Sequence, residues 1–490
     1  MPERAPPEYD PASHPPAEAP PRREFLKASA AAAGAAFLSS CSGGNGGDEA
    51  APLPGAPEVD PLSRIDHVVV VMFENRSFDN VLGYLYSQGP APADWPAVLP
   101  VPPAVPRSQS FEGLFGKSLE NEHASKKYAA HPHAFDPAAV PQKASDWSHP
   151  DPNPGEGFEN AKEQIAGGAM SGFVANYAKK KPSGSELDAI MGSYAPAQLT
   201  VMAGLAQGFA VFDHWFGAVP SETYCNRSFF HASTSSGYAD NQPADKWKNN
   251  TARTIFDLLA ERTPRVDWKV YFEKPTSASE QTEYPHGLTG LVHPAVSGKY
   301  PERFVAFEDF FTDVKGGKLP PYSFLERLYG GSYDYHPPQD VRNGEEVLRT
   351  VYEAIRTSGT TGARDYTHNT LLLVVFDEHG GTYDHVAPGP APAPPAAASP
   401  SELGFDFRTL GPRVPAIAIS AYTQAGTVVN APMHHAAVIR TLCRKYGLPA
   451  LNARDADPNG GDLAFALNLA APRPAAAWPA YPASVSPAAG

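Results

Sequence analysis

The sequence has few cysteines and few clustered charges, and these shortages exclude several classes of protein. Three cysteines in 490 residues are too few for a disulfide-stabilised scaffold. The longest basic run is Lys179-Lys180-Lys181 and the formal net charge is -14, which argues against a nucleic-acid-binding protein. Glycine has no fixed period, so the chain is not collagen-like. Apart from a short N-terminal apolar run, no segment resembles a membrane-spanning helix.

The residues that are abundant indicate a folded protein with a large core. Hydrophobic residues make up 42% of the chain and aromatic residues 11%, and there are 54 prolines. This composition is too apolar for a wholly disordered chain, and much of the proline lies in segments that read as loops or tails. The sequence predicts a leader at residues 1–40, a Gly/Pro-rich tether at 41–61, one large domain at 62–470 and a Pro/Ala-rich tail at 471–490.

The first forty residues resemble an export signal. Arg22-Arg23 is followed by Phe-Leu-Lys and then by a small-residue apolar stretch, 28–38, which is too short to span a bilayer. The arginine pair resembles a twin-arginine signal, and the residues ending at Cys41 resemble a lipobox. These patterns predict export by the twin-arginine machinery to the cell envelope or exterior, with membrane contact only through a lipid on Cys41.

The export prediction has a direct test in the arginine pair. Replacing Arg22 and Arg23 by lysines is expected to leave the protein in the cytoplasm, because the twin-arginine route reads the arginines themselves. Fractionation of cells that express the two forms measures the effect. Normal export of the lysine form would contradict this routing.

From Leu62 onwards the chain alternates between strand-like and helix-like segments. Continuous apolar runs predict buried strands at Ile65–Phe73, Leu371–Phe376 and Val414–Ile419. Helical patterns cover Ala252–Arg262, Gly344–Thr357 and His434–Tyr446. This alternation predicts an α/β fold with a mostly parallel sheet sandwiched by helices. The long irregular stretch Ser108–Asn160 suits loops over an active site.

Two of the predicted strands end in acidic residues. Glu74-Asn75 follows the first and Asp377-Glu378 follows the second, and ligands gather beyond the carboxyl ends of strands in open α/β sheets. Acids placed together need a compensating cation. Their oxygen atoms favour one divalent ion such as Mg²⁺, Mn²⁺ or Ca²⁺, while His379 and His385 keep Zn²⁺ possible.

A third chemical element is the hydroxyl-rich segment from Pro220 to Ser228. A hydroxyl at such a turn becomes a nucleophile when a metal lowers its pKa or a base accepts its proton. From the chemistry alone, Ser221, Thr223 and Ser228 are not separable. An ordinary turn whose hydroxyls bond their own backbone is the alternative.

With these motifs the chain resembles the phosphoesterase family of non-specific phospholipases C and related acid phosphatases, a branch of the alkaline-phosphatase-like superfamily. The matching pieces are, in chain order, Glu74 to Asp79, Thr223 to Arg227, Tyr335 to Pro338, Asp377 to Val386, and the segment after His435. The resemblance runs from about Ile65 to Leu451. It implies an alkaline-phosphatase-like sheet with long loops over the active site.

The resemblance also implies roles for individual residues. Thr223 would be the nucleophile and form a phospho-threonine intermediate, and His336 or His435 would protonate the leaving group. The implied metal ligands are Glu74, Asn75, Thr223, Asp377 and Glu378. Surrounding or substrate-contacting positions would be Glu156, His149, Asn226, Arg227, His379, Asp384 and His385.

One departure from the family pattern concerns the substrate side of the site. A histidine that the family places opposite the phosphate is replaced by Glu156, and His149 is a candidate substitute. The resemblance implies a phosphate-ester substrate, and phospholipid in the phospholipase branch. The leading prediction is a phospholipase C-like phosphodiesterase; the alternatives are an acid phosphatase and a surface lipoprotein that binds phosphorylated ligands without turnover. Cys225 and Cys443 either pair or remain buried free thiols.

Overall fold

The fold was examined in a computed structural model of the chain. The structure describes residues 60–86, 110–133, 144–182, 186–275, 277, 279, 281, 284–327, 333–395 and 401–481. The predicted leader, the arginine pair and Cys41 lie outside the described residues.

The centre of the protein is an eight-stranded, mostly parallel sheet. Its strands follow the order β13-β6-β12-β11-β1-β10-β8-β9. The parallel block consists of β1 with its neighbours β10 and β11, continued by β8 and β9, whereas β12 runs antiparallel to β11 and β6. These eight strands are β1 (His67–Phe73), β6 (Ala210–Phe212), β8 (Trp268–Phe272), β9 (Phe304–Ala306), β10 (Tyr322–Glu326), β11 (Thr370–Phe376), β12 (Ala416–Ser420) and β13 (Thr427–Val429). The predicted α/β class is confirmed.

Shorter pairings lie outside this sheet. A hairpin within the long predicted loop region joins β2 to β3, and two further two-stranded pairs are β4 with β5 and β7 with β14. Their bounds are β2 (Glu120–His123), β3 (Lys126–Ala129), β4 (His131–Pro132), β5 (Gly192–Ser193), β7 (Trp215–Phe216) and β14 (Met433–His434). Part of the region predicted as irregular loop is therefore regular structure.

The three predicted strands are present as β1, β11 and β12, and every residue of each is buried. Their valine, leucine and isoleucine side chains all belong to one hydrophobic core. This is expected for strands that are covered on both faces of the sheet. Parallel pairing sets Phe73 beside Phe376 at the carboxyl ends of β1 and β11. The register of these two strands therefore decides which residues meet beyond them.

The helices lie between the strands in sequence. They are α1 (Phe78–Leu82), α2 (Phe158–Ile165), α3 (Phe173–Ala178), α4 (Glu186–Ala189), α5 (Thr200–Gly208), α6 (Thr223–Ala232), α7 (Ile255–Glu261), α8 (Gly287–Val292), α9 (Pro294–Lys299), α10 (Asp309–Lys315), α11 (Val341–Arg356), α12 (Ser358–Thr361) and α13 (Ala436–Tyr446). The helices predicted from the sequence are α7, α11 and α13. Short 3₁₀ turns cover Pro61–Arg64, Ala144–Trp147, Ala166–Gly168, Ala244–Asn249, Pro301–Arg303, Glu402–Gly404, Leu463–Ala466 and Ala475–Ala477.

Local side chains explain where the predicted helices begin and end. Thr254 and Asp257 form a reciprocal capping box at the start of α7. The Asp340 side chain caps α11. Gly447 ends α13 with a φ of 63°, a left-handed conformation that favours glycine.

Part of the predicted tail contributes to the core. Trp478 is 4% exposed and its ring lies edge-on to Phe209 at a centroid distance of 5.1 Å. The Tyr352 hydroxyl donates to the Pro479 carbonyl at 2.6 Å. This part of the predicted Pro/Ala-rich tail therefore packs on the hydrophobic core.

Two further sequence expectations concern thiols and membrane spans. Cys225 and Cys443 are both buried free thiols in the structure. Among the described residues, none of the helices combines the length and the apolar character that crossing a bilayer requires.

Candidate active site

The two acidic pairs meet at the carboxyl ends of β1 and β11. The Asp377 amide donates to the Phe73 carbonyl at 3.0 Å, so Glu74 and Asp377 leave adjacent strands side by side. The Asn75 amide donates to Asp377 Oδ1 at 3.2 Å. The structure therefore brings the two predicted pairs together.

The turns that follow the two strands interlock. Asn75 has a φ of 63° and Gly380 also has a φ of 63°. A Cβ atom on Gly380 would lie 1.9 Å from the Asn75 carbonyl oxygen, which no side chain tolerates. The Arg76 amide donates to the Glu378 carbonyl at 3.1 Å, so each turn fixes the conformation of the other.

Thr223 is distinguished from its neighbouring hydroxyls by its hydrogen bonds. The Ser221 hydroxyl donates to the Ala239 carbonyl, and the Ser228 hydroxyl donates to the Thr234 carbonyl at 2.8 Å. Thr223 Oγ1 is buried and has no hydrogen-bond partner in the part of the chain that the structure describes. Of the three hydroxyls that the sequence left open, Thr223 is the one that is available for chemistry.

The loop before Thr223 is shaped by Asn226. Its Oδ1 accepts from the Val219 amide at 3.1 Å, and its Nδ2 donates to the Ser221 carbonyl at 2.7 Å. Thr223 is the first residue of α6, so its side chain lies at the positive end of a ten-residue helix. Asn226 therefore helps to orient the candidate nucleophile.

Arg227, one turn further along α6, is the cation of the site. Its guanidinium lies 2.9 Å from Glu74 Oε1, 3.2 Å from Asp377 Oδ2 and 3.2 Å from Glu326 Oε2. All four side chains are buried. One arginine is therefore shared by three carboxylates, which leaves negative charge for a further cation.

Two buried acids at the site, Glu326 and Asp334, were not among the residues predicted from the sequence. Glu326 is the last residue of β10, and its carboxylate also accepts from the amide and hydroxyl of Thr289. Asp334 Oδ1 accepts from the Glu74 amide at 3.0 Å and the Tyr335 amide at 2.6 Å. Burial raises the pKa of Asp334 to about 6 against the effect of these amides. Glu326 could have been found from the sequence as an acidic residue at the end of a short apolar segment.

Buried oxygen atoms of the site residues show whether the predicted metal ligands suit a cation. Several buried side-chain oxygens have no hydrogen-bond partner within the described residues: Glu74 Oε2, Asn75 Oδ1, Thr223 Oγ1, Asp334 Oδ2 and Glu378 Oε1. Buried polar atoms are normally paired, because leaving them unpaired costs free energy. Hard oxygen donors of this kind fit a divalent cation such as Mg²⁺, Mn²⁺ or Ca²⁺. Four of the five atoms belong to residues in the predicted ligand set.

Burial dominates the pKa values of two of these carboxyls. Burial raises the pKa of Glu74 well above its ordinary value, although Arg227 opposes the shift. Burial, followed by the charge of Glu156, raises the pKa of Glu378 well above its ordinary value. A bound cation would restore the ionised forms of both groups.

A different cluster has the spacing of a metal site. Asp79, Asp384 and His385 offer ligand atoms within 4.8 Å of one another. However, Arg413 Nη2 donates to Asp79 Oδ1 at 2.8 Å and Arg413 Nε donates to Asp384 Oδ1 at 2.9 Å. His385 Nδ1 lies 2.6 Å from Asp79 Oδ2. The cluster therefore already contains an arginine as its cation, and it ties α1 to the segment after β11.

The two candidate proton donors differ in their surroundings. His435 Nε2 lies 2.5 Å from the Asp377 carbonyl and its Nδ1 accepts from Trp215 Nε1 at 3.2 Å. Burial lowers the pKa of His435 to about 4. His336 Nδ1 donates to the Pro337 carbonyl at 2.6 Å, and its Nε2 lies 3.8 Å from Glu156 Oε1. Both ring nitrogens of His435 are thus engaged by protein groups, whereas His336 Nε2 faces the Glu156 carboxylate.

The two remaining predicted histidines, His379 and His149, lie in different parts of the structure. His379 lies beside the candidate ligands, with Nδ1 3.2 Å from Glu378 Oε2 and Nε2 2.7 Å from Gln164 Oε1. His149 instead stacks on the His133 ring at 4.6 Å, and its Nδ1 lies 3.3 Å from Glu186 Oε2. His149 thus belongs to a histidine cluster around β4.

An acidic cavity of about 340 Å³ is lined by Glu156 and by Glu222, the residue before Thr223. Asp240 is another of its lining residues, and Lys180 is the one lysine or arginine among the described residues that line it. Glu156 is 8% exposed, and its Oε1 accepts from Asn153 Nδ2 at 2.9 Å. Burial raises the pKa of Glu222 to about 7. The cavity therefore connects the residue that precedes Thr223 with the side chain that faces His336.

The chain is similar to several known proteins. The phosphoesterase family model matches residues 65–449. Non-specific phospholipase C1 of Arabidopsis thaliana is 31% identical over 417 residues, which cover 80% of this chain and 69% of that protein. Non-specific phospholipase C3 of the same plant is 30% identical, covering 84% and 75%. Phospholipase C B of Mycobacterium tuberculosis is 26% identical, covering 92% and 86%.

Among solved structures, a phosphonate monoester hydrolase of Agrobacterium radiobacter overlaps with a TM-score of 0.32 and 14% identity, covering 55% of this chain and 72% of that chain. An overlap of this size carries no argument about function. The family match spans most of the chain and includes both acidic pairs, Thr223 and His435. The chain belongs to the phosphoesterase family.

Proposed function

We propose that the protein hydrolyses phosphodiesters in the manner of a phospholipase C, through Thr223. Membership of the family and relatives named phospholipase C support an ester-bond hydrolase. The observation that carries the proposal is the buried Thr223 hydroxyl, which has no hydrogen-bond partner among the described residues, as is also true of oxygens of Glu74, Asn75 and Glu378. Such a group is costly to maintain in a protein that only needs to fold.

The residues that would hold one divalent cation are Glu74, Asn75, Thr223, Asp377 and Glu378. A cation bound there would lower the pKa of the Thr223 hydroxyl and offset negative charge on the phosphoryl oxygens. Mg²⁺, Mn²⁺ and Ca²⁺ suit these ligands best, and Zn²⁺ remains an alternative because histidines are close. Arg227 holds Glu74 and Asp377 in position from the opposite side.

The chain's own residues supply two chemical steps. The Thr223 hydroxyl releases its proton to solvent and its Oγ1 attacks phosphorus; the bond from phosphorus to the leaving alkoxide breaks, and protonated His336 gives that alkoxide its proton. The headgroup phosphate is then joined to Thr223. In the second step a water molecule gives one proton to His336 and attacks phosphorus, the bond from phosphorus to Thr223 Oγ1 breaks, the phosphorylated headgroup leaves, and Thr223 takes a proton from solvent. The amino-terminal end of α6 stabilises negative charge throughout.

The proposed function is tested by offering two substrates side by side to the purified protein. With Mg²⁺, Mn²⁺ or Ca²⁺ present, we expect phosphatidylcholine to be hydrolysed to diacylglycerol faster than p-nitrophenyl phosphate is hydrolysed to phosphate. Chelation by EDTA is expected to abolish both reactions. Faster turnover of the monoester would support the acid phosphatase instead. No turnover of either substrate with any divalent metal, Zn²⁺ included, would support a binding lipoprotein.

We also propose that the protein is exported by the twin-arginine route and is lipidated at Cys41. The supporting observation is the order of features before residue 42: an arginine pair, a short apolar run and a small-residue sequence that ends at a cysteine. A phosphoesterase on the cell envelope would meet phospholipid or phosphorylated nutrients outside the cytoplasm.

A further inference from the structure

Large hydrophobic side chains with about half of their surface exposed are few in the described part of the chain. They are Tyr333 at 52%, Leu403 at 50% and Phe465 at 49%. Single exposed apolar residues are common and need no explanation. Two of these three nevertheless stand next in the chain to residues that bond to the candidate site or to the wall of its cavity, Tyr333 before Asp334 and Leu403 after Glu402, and the backbone of one of them is unusual.

Leu403 stands at the tip of a turn in the left-handed conformation. Its φ is 55° and its ψ is 16°, and Gly404 after it has a φ of 68°. Leucine adopts this conformation at a cost, because its Cβ approaches the backbone too closely. An exposed leucine recovers little of that cost through burial. This turn therefore presents an apolar side chain to solvent without an evident benefit for folding.

The base of the Leu403 turn is firmly attached beside the acidic cavity. The Glu402 carboxylate accepts from the Ala239 amide at 2.7 Å and the Asp240 amide at 3.2 Å, and Lys246 Nζ lies 2.7 Å away. On the other side, the Phe405 ring packs on Phe158 at a centroid distance of 4.8 Å. The residues on both sides of Leu403 are thus anchored to neighbouring segments.

Hydrogen bonds connect this turn to the catalytic helix. The Asn241 amide, next to Asp240, donates to Glu222 Oε1 at 2.7 Å. Glu222 immediately precedes Thr223 and also lines the cavity. Two hydrogen bonds, from Asp240 to Glu402 and from Asn241 to Glu222, therefore link the Leu403 turn to the residue before Thr223.

Tyr333 belongs to another segment. It precedes Asp334, whose carboxylate accepts from the Glu74 amide, and its ring lies 4.6 Å from the Arg327 guanidinium. Tyrosine is favoured at boundaries between water and lipid because its ring is apolar and its hydroxyl is polar. Leu403 and Tyr333 thus belong to two separate segments, each of which is attached to the candidate site or its cavity through the neighbouring acidic residue.

The charge of the cavity indicates what kind of surface could approach. Glu156, Glu222 and Asp240 outnumber Lys180 among its charged residues. A surface of anionic lipid would be repelled at short range, whereas outward-facing ammonium groups would be attracted. Charge complementarity therefore favours a zwitterionic phospholipid surface.

We propose that Leu403 and Tyr333 are a docking pair that inserts into a zwitterionic phospholipid surface and brings that surface to the mouth of the active site. The inference rests on the proposed function for the identity of the lipid, and it adds the residues through which the folded domain would engage the surface. Leu403 supplies the apolar contact and Tyr333 the contact at headgroup level. Neither residue takes part in the chemistry.

The test uses the full chain carrying Cys41→Ser, which cannot be acylated, and vesicles of phosphatidylcholine. We expect Leu403→Asn to weaken cosedimentation with the vesicles by about tenfold, because one apolar anchor is lost. Leu403→Met should bind like the parent. Asparagine tolerates the left-handed conformation, so the thermal unfolding midpoint should not fall. Tyr333→Ser is expected to weaken binding further when it is combined with Leu403→Asn.

Phe465→Asn is the matched control. Phe465 is equally exposed, but its turn lies against α13 and β13; β13 is the edge strand of the sheet, three strand spacings or about 14 Å from β11. Its replacement should leave vesicle binding unchanged. An equal loss in Phe465→Asn would overturn the docking pair, and so would parental binding by the Leu403, Tyr333 double variant.

A soluble substrate separates this inference from the proposed function. Leu403→Asn should hydrolyse p-nitrophenyl phosphorylcholine at the parental rate while its turnover of vesicle lipid falls about tenfold. If the parent hydrolyses the soluble diester but does not bind phosphatidylcholine vesicles, or binds only vesicles of phosphatidylglycerol, the docking proposal is wrong. If the parent binds vesicles but hydrolyses no diester, the proposed function is wrong.

Discussion

Replacing Thr223 by alanine is expected to lower phosphodiester hydrolysis by a factor on the order of 10⁴, because the reaction loses its attacking atom. Neither neighbouring hydroxyl can take over: Ser221 and Ser228 both donate to backbone carbonyls. Metal content should stay close to that of the parent, since Glu74, Asn75, Asp377 and Glu378 remain. Steady-state kinetics and elemental analysis of the same sample measure the two effects.

Two variants control the interpretation of this loss. Thr223→Ser keeps a hydroxyl at the first position of α6 and should retain much of the activity, together with a covalent phosphoryl group that can be trapped by acid quenching. Ser221→Ala removes a neighbouring hydroxyl and should hydrolyse the diester within a few-fold of the parent. If Thr223→Ala remains active, or if no phosphoryl group is trapped on the parent, another atom is the nucleophile.

Replacing Arg227 by methionine is expected to lower the free energy of unfolding by about 3–5 kcal/mol at neutral pH, measured without metal by urea denaturation. The reason is that Glu74, Glu326 and Asp377 would keep their buried positions without the cation that they share. Arg364→Met is a suitable control, because Arg364 forms an exposed ion pair with Asp66. Exposed pairs contribute only up to about 1 kcal/mol.

The pH dependence of this variant identifies the cause. Burial raises the pKa of each of the three carboxyls in the folded protein, and removal of Arg227 would raise these values further. A group whose folded pKa is raised favours folding below its unfolded pKa of about 4, and this contribution is lost as the pH rises through the folded value. The deficit of Arg227→Met should therefore be small near about pH 5 and large near about pH 8. An equal deficit at both values would mean that lost packing, not lost charge, is responsible.

The parts of the fold that the sequence predicted are those whose residues carry a strong pattern. β1 and β11 are continuous runs of buried apolar residues, and α13 ends at a glycine in the left-handed conformation. β6 has only three residues and β10 contains Ser323 and Glu326, so neither has a distinctive period. Pairing with neighbouring strands, which is distant in sequence, defines these shorter elements.

The candidate site shows the same division. The acidic pairs could be placed at strand ends because each follows a recognisable strand. The choice of Thr223 over Ser221 and Ser228 could not be made from chemistry in the sequence, because it depends on carbonyls supplied by residues 234 and 239. Similarly, the contrast between His336 and His435 depends on Trp215 and on the Asp377 carbonyl. Hydrogen bonds to distant backbone carry no local signature.

The pairing of β1 with β11 makes activity a reporter of strand register. Because Phe73 is aligned with Phe376, a slip of one residue would turn Asp377 to the opposite face of the sheet. Both strands are uniformly apolar, so their hydrophobic pattern alone penalises that slip weakly. The interlocked turn at Asn75 and Gly380 accepts only one alignment. This turn therefore supplies the register information that the two apolar strands lack, and turnover per mole of refolded protein measures whether the turn has formed.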